Sequence, residues 1–178
     1  MKLNVKKPRE FINPLLSKRS VSPTSFLAFK ANFENYCAAI DVQHAGKQSE
    51  PNIVSNALKP FIDALGFTSN SYSQKGQSGI DLAILNNGAP SVIFEAKKHG
   101  SAEMISGAKI NTKGFQEAVL YFMRERAKSN QAIFHVVITD FYGWFVFVAK
   151  DFDRLFWKNT AITFTNPFTF AHFFVCSV

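Results

Sequence analysis

Apolar residues recur at three- and four-residue intervals from Ser25 onward. Phe26, Phe29, Phe33, Tyr36 and Ile40 form one stripe, which predicts a helix over 25–41 with Thr24 or Ser25 as its cap. The polar run DVQHAGKQ that follows reads as a loop. A second helix is expected from Glu50 to Leu65, with Ile53, Ala57, Leu58, Phe61 and Leu65 facing inward. Pro51 falls in its first turn, where a missing N–H costs nothing, and Gly66 suits its C-terminal end. The polar stretch TSNSYSQKGQS leaves room for a short strand around Tyr72. Strands are then expected over 79–86 and 91–98, joined by the tight connection NNGAP. A third helix covers 112–129. Strands at 132–139 and 144–149 follow, and DFDRLFW closes the series as a short helix. This order predicts an α/β sandwich around a mixed central sheet flanked by helices.

Strand alternation adds chemistry to that pattern. On 79–86, Ile80, Leu82 and Ile84 share one face, and Asp81 and Ala83 share the other. On 91–98, Ile93, Glu95 and Lys97 lie on one face. If the polar faces of the two strands coincide, Asp81, Glu95 and Lys97 converge. Carboxylates in strands this apolar must be paired or must bind a metal. Two carboxylates beside an ammonium form an oxygen-donor site suited to Mg2+. Such a site can neutralise a phosphodiester and activate water, with the lysine orienting that water. A buried Glu95–Lys97 ion pair would account for the same residues without chemistry.

Composition narrows the partners. The chain has 178 residues, 47% of them hydrophobic, and a net charge of +7. That supports one domain with a real core and favours a polyanionic partner. Residues 1–23 form a basic arm carrying Lys2, Lys6, Lys7, Arg9, Lys18 and Arg19 against Glu10. Cys37 and Cys176 are too few for a disulfide framework, no signal peptide is apparent, and no apolar run reaches the ~20 residues of a membrane span. A cytoplasmic location is the expectation. The histidines lack zinc-ligand spacing.

GID (79–81), thirteen further residues and EAK (95–97) resemble the motif of the PD-(D/E)xK nuclease superfamily, with Ile80 where the family name has proline. SEPNIVSNALKPFI, GIDLAILNNGAPSVIFEAKK, NTKGFQEAVLYFMRER and HVVITDFYGWFVFVAKDFDRLF are similar to the N-terminal endonuclease domain of type IIG restriction–modification enzymes, which fuse nuclease and methyltransferase. The resemblance implies a restriction-endonuclease-like fold, a nuclease domain over 24–158, and magnesium-dependent cleavage of duplex DNA leaving a 5′ phosphate. Mn2+ could replace Mg2+. It also implies a metal-facing role for Glu50 on the first core helix, which helix capping would equally explain. Gln116 is the expected contact to the attacking water or a phosphate. Tyr121, five residues on, turns about 140° away from it. Arg124, Arg126 and Lys128 read as a solvated face, with a phosphate track as the alternative.

Lys6, Lys7 and Arg9 of the arm, Lys75, Lys98 and His99 are the expected DNA contacts. The alternative is a non-catalytic DNA-binding or assembly module. The Phe-rich stretch over 159–178 leads to the further expectation that the chain is part of a longer restriction–modification polypeptide. A final core strand, or pairing between two protomers, would account for the same stretch without it.

Overall fold

The computed structural model describes residues 10, 14–72, 79–106 and 108–159. Lys6, Lys7, Arg9, Lys75 and the segment 160–178 lie outside them. The described chain runs α1 (Pro14–Ser17), α2 (Pro23–Ala45), α3 (Glu50–Ile53), α4 (Lys59–Ala64), β1 (Ser69–Tyr72), β2 (Ile80–Asn86), β3 (Ala89–Ala96), α5 (Lys113–Ala127), β4 (His135–Thr139), β5 (Trp144–Val148) and α6 (Ala149–Phe152).

The five strands form one mixed sheet in chain order. All neighbours are antiparallel except β3 and β4, which are parallel. A parallel pair needs a crossover, and α5 provides it. The β2–β3 turn is Asn87–Gly88, with φ of 51° and 78°. Two consecutive positive φ values make a type I′ turn, whose twist matches that of the flanking strands. β3 therefore starts at Ala89, earlier than the sequence suggests, and ends at Ala96, before Lys97 and Lys98.

Period-two alternation sends side chains into two cores. Ala83, Ile93, Val136 and Ile138 pack with Phe115, Ala118, Val119 and Phe122 of α5 and with Phe152 and Phe156 beyond β5. Leu82, Phe94, Ala96 and Val137 pack with Tyr36, Ile40, Leu58, Phe61 and Phe141. The protein is thus an α/β sandwich, with helices on both faces of the sheet. Complete burial of Leu58 or Phe122 contributes about 1.5–3 kcal/mol each.

Three local departures have physical causes. Ser22 caps α2, accepting the Ser25 N–H at 3.1 Å, and the helix starts at Pro23 and continues through Asp41–Ala45, the run read as a loop. Of its predicted stripe only Tyr36 and Ile40 are buried, while Phe26, Phe29 and Phe33 are exposed. Between α3 and α4 the helix widens into a π turn over Val54–Leu58, with the Lys59 N–H bonded to Val54 O. Pro60 has no N–H, and its ring crowds the carbonyl four residues back, which accounts for the altered ladder. Arg126 is buried, not solvated. Its guanidinium pairs with Asp153 at 2.8 and 3.0 Å. Among the described residues no helix is long and apolar enough to cross a membrane.

Candidate active site

The ladder pairs Leu82 with Phe94 and Ala83 with Ile93, so Asp81 stands opposite Glu95. Asp81 Oδ2 accepts the Ala96 N–H at 2.8 Å, which fixes this carboxylate across the hairpin. Lys97 lies one residue beyond β3, yet its N–H donates to Thr139 O at 2.8 Å and continues the ladder toward β4. Glu95 and Lys97 are only 1% and 5% exposed. Charges this deep require partners. The Lys97 ammonium meets Glu95 Oε1 at 2.5 Å and Glu117 Oε2 at 2.8 Å. Glu50 Oε1 accepts the Lys98 N–H at 2.8 Å and closes the other side of the cluster.

The structure therefore brings Asp81, Glu95 and Lys97 together and places Glu50 at their edge. Gln116 does not join them, because its side-chain amide donates to Asn111 Oδ1 at 2.9 Å. The next residue, Glu117, takes the position instead, and sequence reasoning missed it. One signal could have located it. Gly114 precedes Glu117 by three residues, so both lie on one helix face. A Cβ on Gly114 would stand 3.1 Å from Lys97 Cγ and 3.0 Å from Glu103 O, so glycine is what lets α5 approach Lys97. Tyr121 is buried in the core. Lys98 and His99 are exposed beside the cluster.

Gly114→Ala weighs two effects. Alanine favours a helix interior by about 1 kcal/mol over glycine, and by less at the first turn, where Gly114 stands. The added methyl must displace a main-chain oxygen and the Lys97 stem. The expected result of a thermal melt is a lower melting temperature; a higher one would mean that the 103–112 loop yields freely.

The electrostatics are short of positive charge. Burial raises the Asp81 pKa; the Ala96 N–H and Lys97 oppose the shift, and Glu50 and Glu117 add to it. Burial and then the charge of Asp81 raise Glu95 well above an ordinary glutamate, despite Lys97. Burial pulls Lys97 down, but Glu95 and Glu117 outweigh it and the ammonium is held more tightly than usual. The carboxyls gain proton affinity first from burial and then from neighbouring negative charge, and Lys97 gains it from Glu95 and Glu117.

The residues partly fit a divalent cation. Glu95 Oε2 is buried and has no hydrogen-bond partner among the described residues. Such an oxygen, beside surplus negative charge, suits a hard cation. Among the described residues, however, no three His, Cys, Asp or Glu side chains already form a metal-holding group. Asp81 and Glu50 each give an oxygen to a main-chain N–H, and Lys97 takes one from Glu95 and one from Glu117. Loading would require a shift of these side chains. A family model described as a domain of unknown function (DUF7149) matches residues 6–169. No curated protein and no solved structure matches the chain.

Proposed function

We propose, for a chain that belongs to the DUF7149 family, a magnesium-dependent endonuclease that hydrolyses DNA phosphodiester bonds on a restriction-endonuclease-like sheet. The observation that carries this reading is the unpartnered, buried Glu95 Oε2 within a carboxylate cluster that surrounds one lysine. Asp81 and Glu95 would hold Mg2+ or Mn2+, with Glu50 at the rim. When bound, the cation neutralises the scissile phosphate and makes water acidic enough to attack. The chain's own residues do the rest. Glu117 and Glu95 hold the Lys97 ammonium in place. Lys97 donates hydrogen bonds to the attacking water and to charge developing on the phosphate. Water gives up a proton to solvent as its oxygen bonds to phosphorus, the P–O3′ bond breaks, and the 3′ oxygen takes a proton from solvent, leaving a 3′ hydroxyl and a 5′ phosphate. The basic balance of the chain favours DNA as partner, with affinity that falls steeply as salt rises.

The test is plasmid nicking with Mg2+, Mn2+ or excess chelator. Asp81→Asn and Glu95→Gln are expected to lose cleavage on the order of 10²-fold or more, the scale of removing one stabilising group from an active site. Both should melt no lower than the parent, because each removes a negative charge from a crowded cluster. Undiminished cutting in chelator, or by both variants, would refute the proposal.

The second reading is a DNA-binding or assembly module without catalysis. It is favoured by the ion triad itself, since Lys97 is already paired with Glu95 and Glu117. It predicts salt-dependent DNA binding with no nicking in any divalent ion.

A further inference from the structure

Two residues beyond Lys97, at the C-terminal ends of the parallel strands β3 and β4, three rings meet. His99 and Tyr142 have centroids 4.8 Å apart, His44 and His99 5.8 Å, and His44 and Tyr142 6.1 Å, each pair edge to face. His44 comes from the last turn of α2, so the rings belong to three separate parts of the chain. The group is not core. Tyr142 is 47% exposed, the His99 side chain 48%, and His44 is exposed as well.

The rings are nevertheless fixed. His99 Nδ1–H donates to Asp140 Oδ2 at 2.7 Å, and Tyr142 Oη–H donates to Asp41 Oδ1 at 2.9 Å. The turn between Asp140 and Tyr142 is strained. Phe141 is buried with φ of 74°, a region bulky L-residues avoid. Several bonds hold it there. Its carbonyl accepts Tyr36 Oη–H at 2.7 Å and Trp144 Nε1–H at 3.2 Å, and its N–H donates to Thr139 Oγ1 at 2.9 Å. The Gly143 N–H donates to Asp140 Oδ1 at 2.6 Å. Backbone strain of about 1–3 kcal/mol persists only where the surroundings over-determine it, and such strain collects at functional sites. Here its effect is to hold Asp140 against His99 while Tyr142 stays exposed.

Resting on the nuclease reading, we propose that His44, His99 and Tyr142 form a platform for an unpaired nucleobase next to the scissile phosphate. Exposed aromatic faces held rigid beside a phosphate site are what base stacking requires. A base inside an intact duplex already has both faces covered. The substrate class is therefore DNA with an unpaired nucleotide at the cleavage point, such as a single strand, an overhang or a flap. Asp41 and Asp140 are spent on Tyr142 and His99, and Lys98, next to His99 in the chain, is exposed.

The experiment measures binding in chelator, so that no cleavage intervenes. The probes are a blunt DNA duplex and the same duplex with a single-stranded overhang containing 2-aminopurine. The full chain is expected to bind the overhang about ten-fold more tightly and to quench the 2-aminopurine as it stacks. Tyr142→Ala and His99→Ala should each erase preference and quenching. Tyr142→Phe keeps the ring, loses the bond to Asp41, and should retain both. Equal affinity of the full chain for the two probes would overturn the proposal. So would an alanine variant that loses affinity for both probes alike, since that marks a phosphate contact. A parallel cleavage series in Mn2+ separates the two claims. Failure of the platform leaves cutting without preference for unpaired DNA, whereas failure of the nuclease reading leaves every substrate uncut.

Discussion

Replacing Lys97 with methionine should abolish cleavage and lower stability by about 3–5 kcal/mol at pH 8, the cost of leaving buried charge without its partner. Glu95 and Glu117 would lose the one ammonium between them. The loss should shrink on acidification. Without Lys97 the folded-state pKa of Glu95 rises further above the ordinary 4.5. A carboxyl whose folded value is raised binds its proton more tightly folded than unfolded. The penalty is therefore complete above the raised value, falls as pH drops through it, and is gone below the unfolded value. Urea unfolding of parent and Lys97→Met at pH 8 and pH 5 checks this. An equal loss at both pH values would mean that Lys97 acts through packing and not through charge.

Arg126→Met should cost a similar amount at a place remote from the carboxylates. The guanidinium is 3% exposed, lies 4.5 Å from the Phe122 ring centroid, and bridges α5 to Asp153 and to Asn130 O. Methionine fills the volume but strands Asp153, so a loss of about 3–5 kcal/mol is expected. Pairing it with Asp153→Leu should recover most of that loss, because apolar replacement of a whole buried pair is often neutral. Denaturant unfolding of the two singles and the double closes the cycle. If the double is as unstable as the Arg126 single, the deficit lies in the aromatic contact.

The contrast between these two basic residues shows what the chain reveals before folding. Alternation placed Asp81 and Ala83 on one side of β2 and Ile93, Glu95 and Lys97 on one side of β3, because a strand has a fixed period. The same rule separated Leu82 and Phe94 into the opposite core. Helices carry less information, since a stripe does not say how far along its length a helix is covered. Phe26, Phe29 and Phe33 continue the apolar line of Tyr36 and Ile40 but stay exposed. Arg126 looks like surface until Asp153, from a later turn, is known to lie beside it. Glu117 depends on the rotation of α5, which Gly114 sets through one close approach to Lys97. The ring cluster depends on a positive φ at Phe141, and nothing local in TDFYG announces a phenylalanine in that conformation. The sequence was legible where geometry is local and silent where a distant partner decides.

The Asn87–Gly88 turn has a kinetic consequence. It closes a short hairpin, so Asp81 and Glu95 can meet early, at little cost in loop entropy, while both are still hydrated. The site is then expected to dry when α5 lands and Glu117 closes on Lys97, as the chevron below tests. A stabilising contact made after the barrier acts on the escape from the native state. Weakening the ion triad should therefore speed unfolding and leave the folding rate nearly unchanged. In a chevron for Lys97→Met only the unfolding arm moves; displacement of the folding arm would place the triad inside the nucleus. The chain is expected to reach its fold with the site still wet, and the ion triad that closes afterwards is what makes the native state slow to leave.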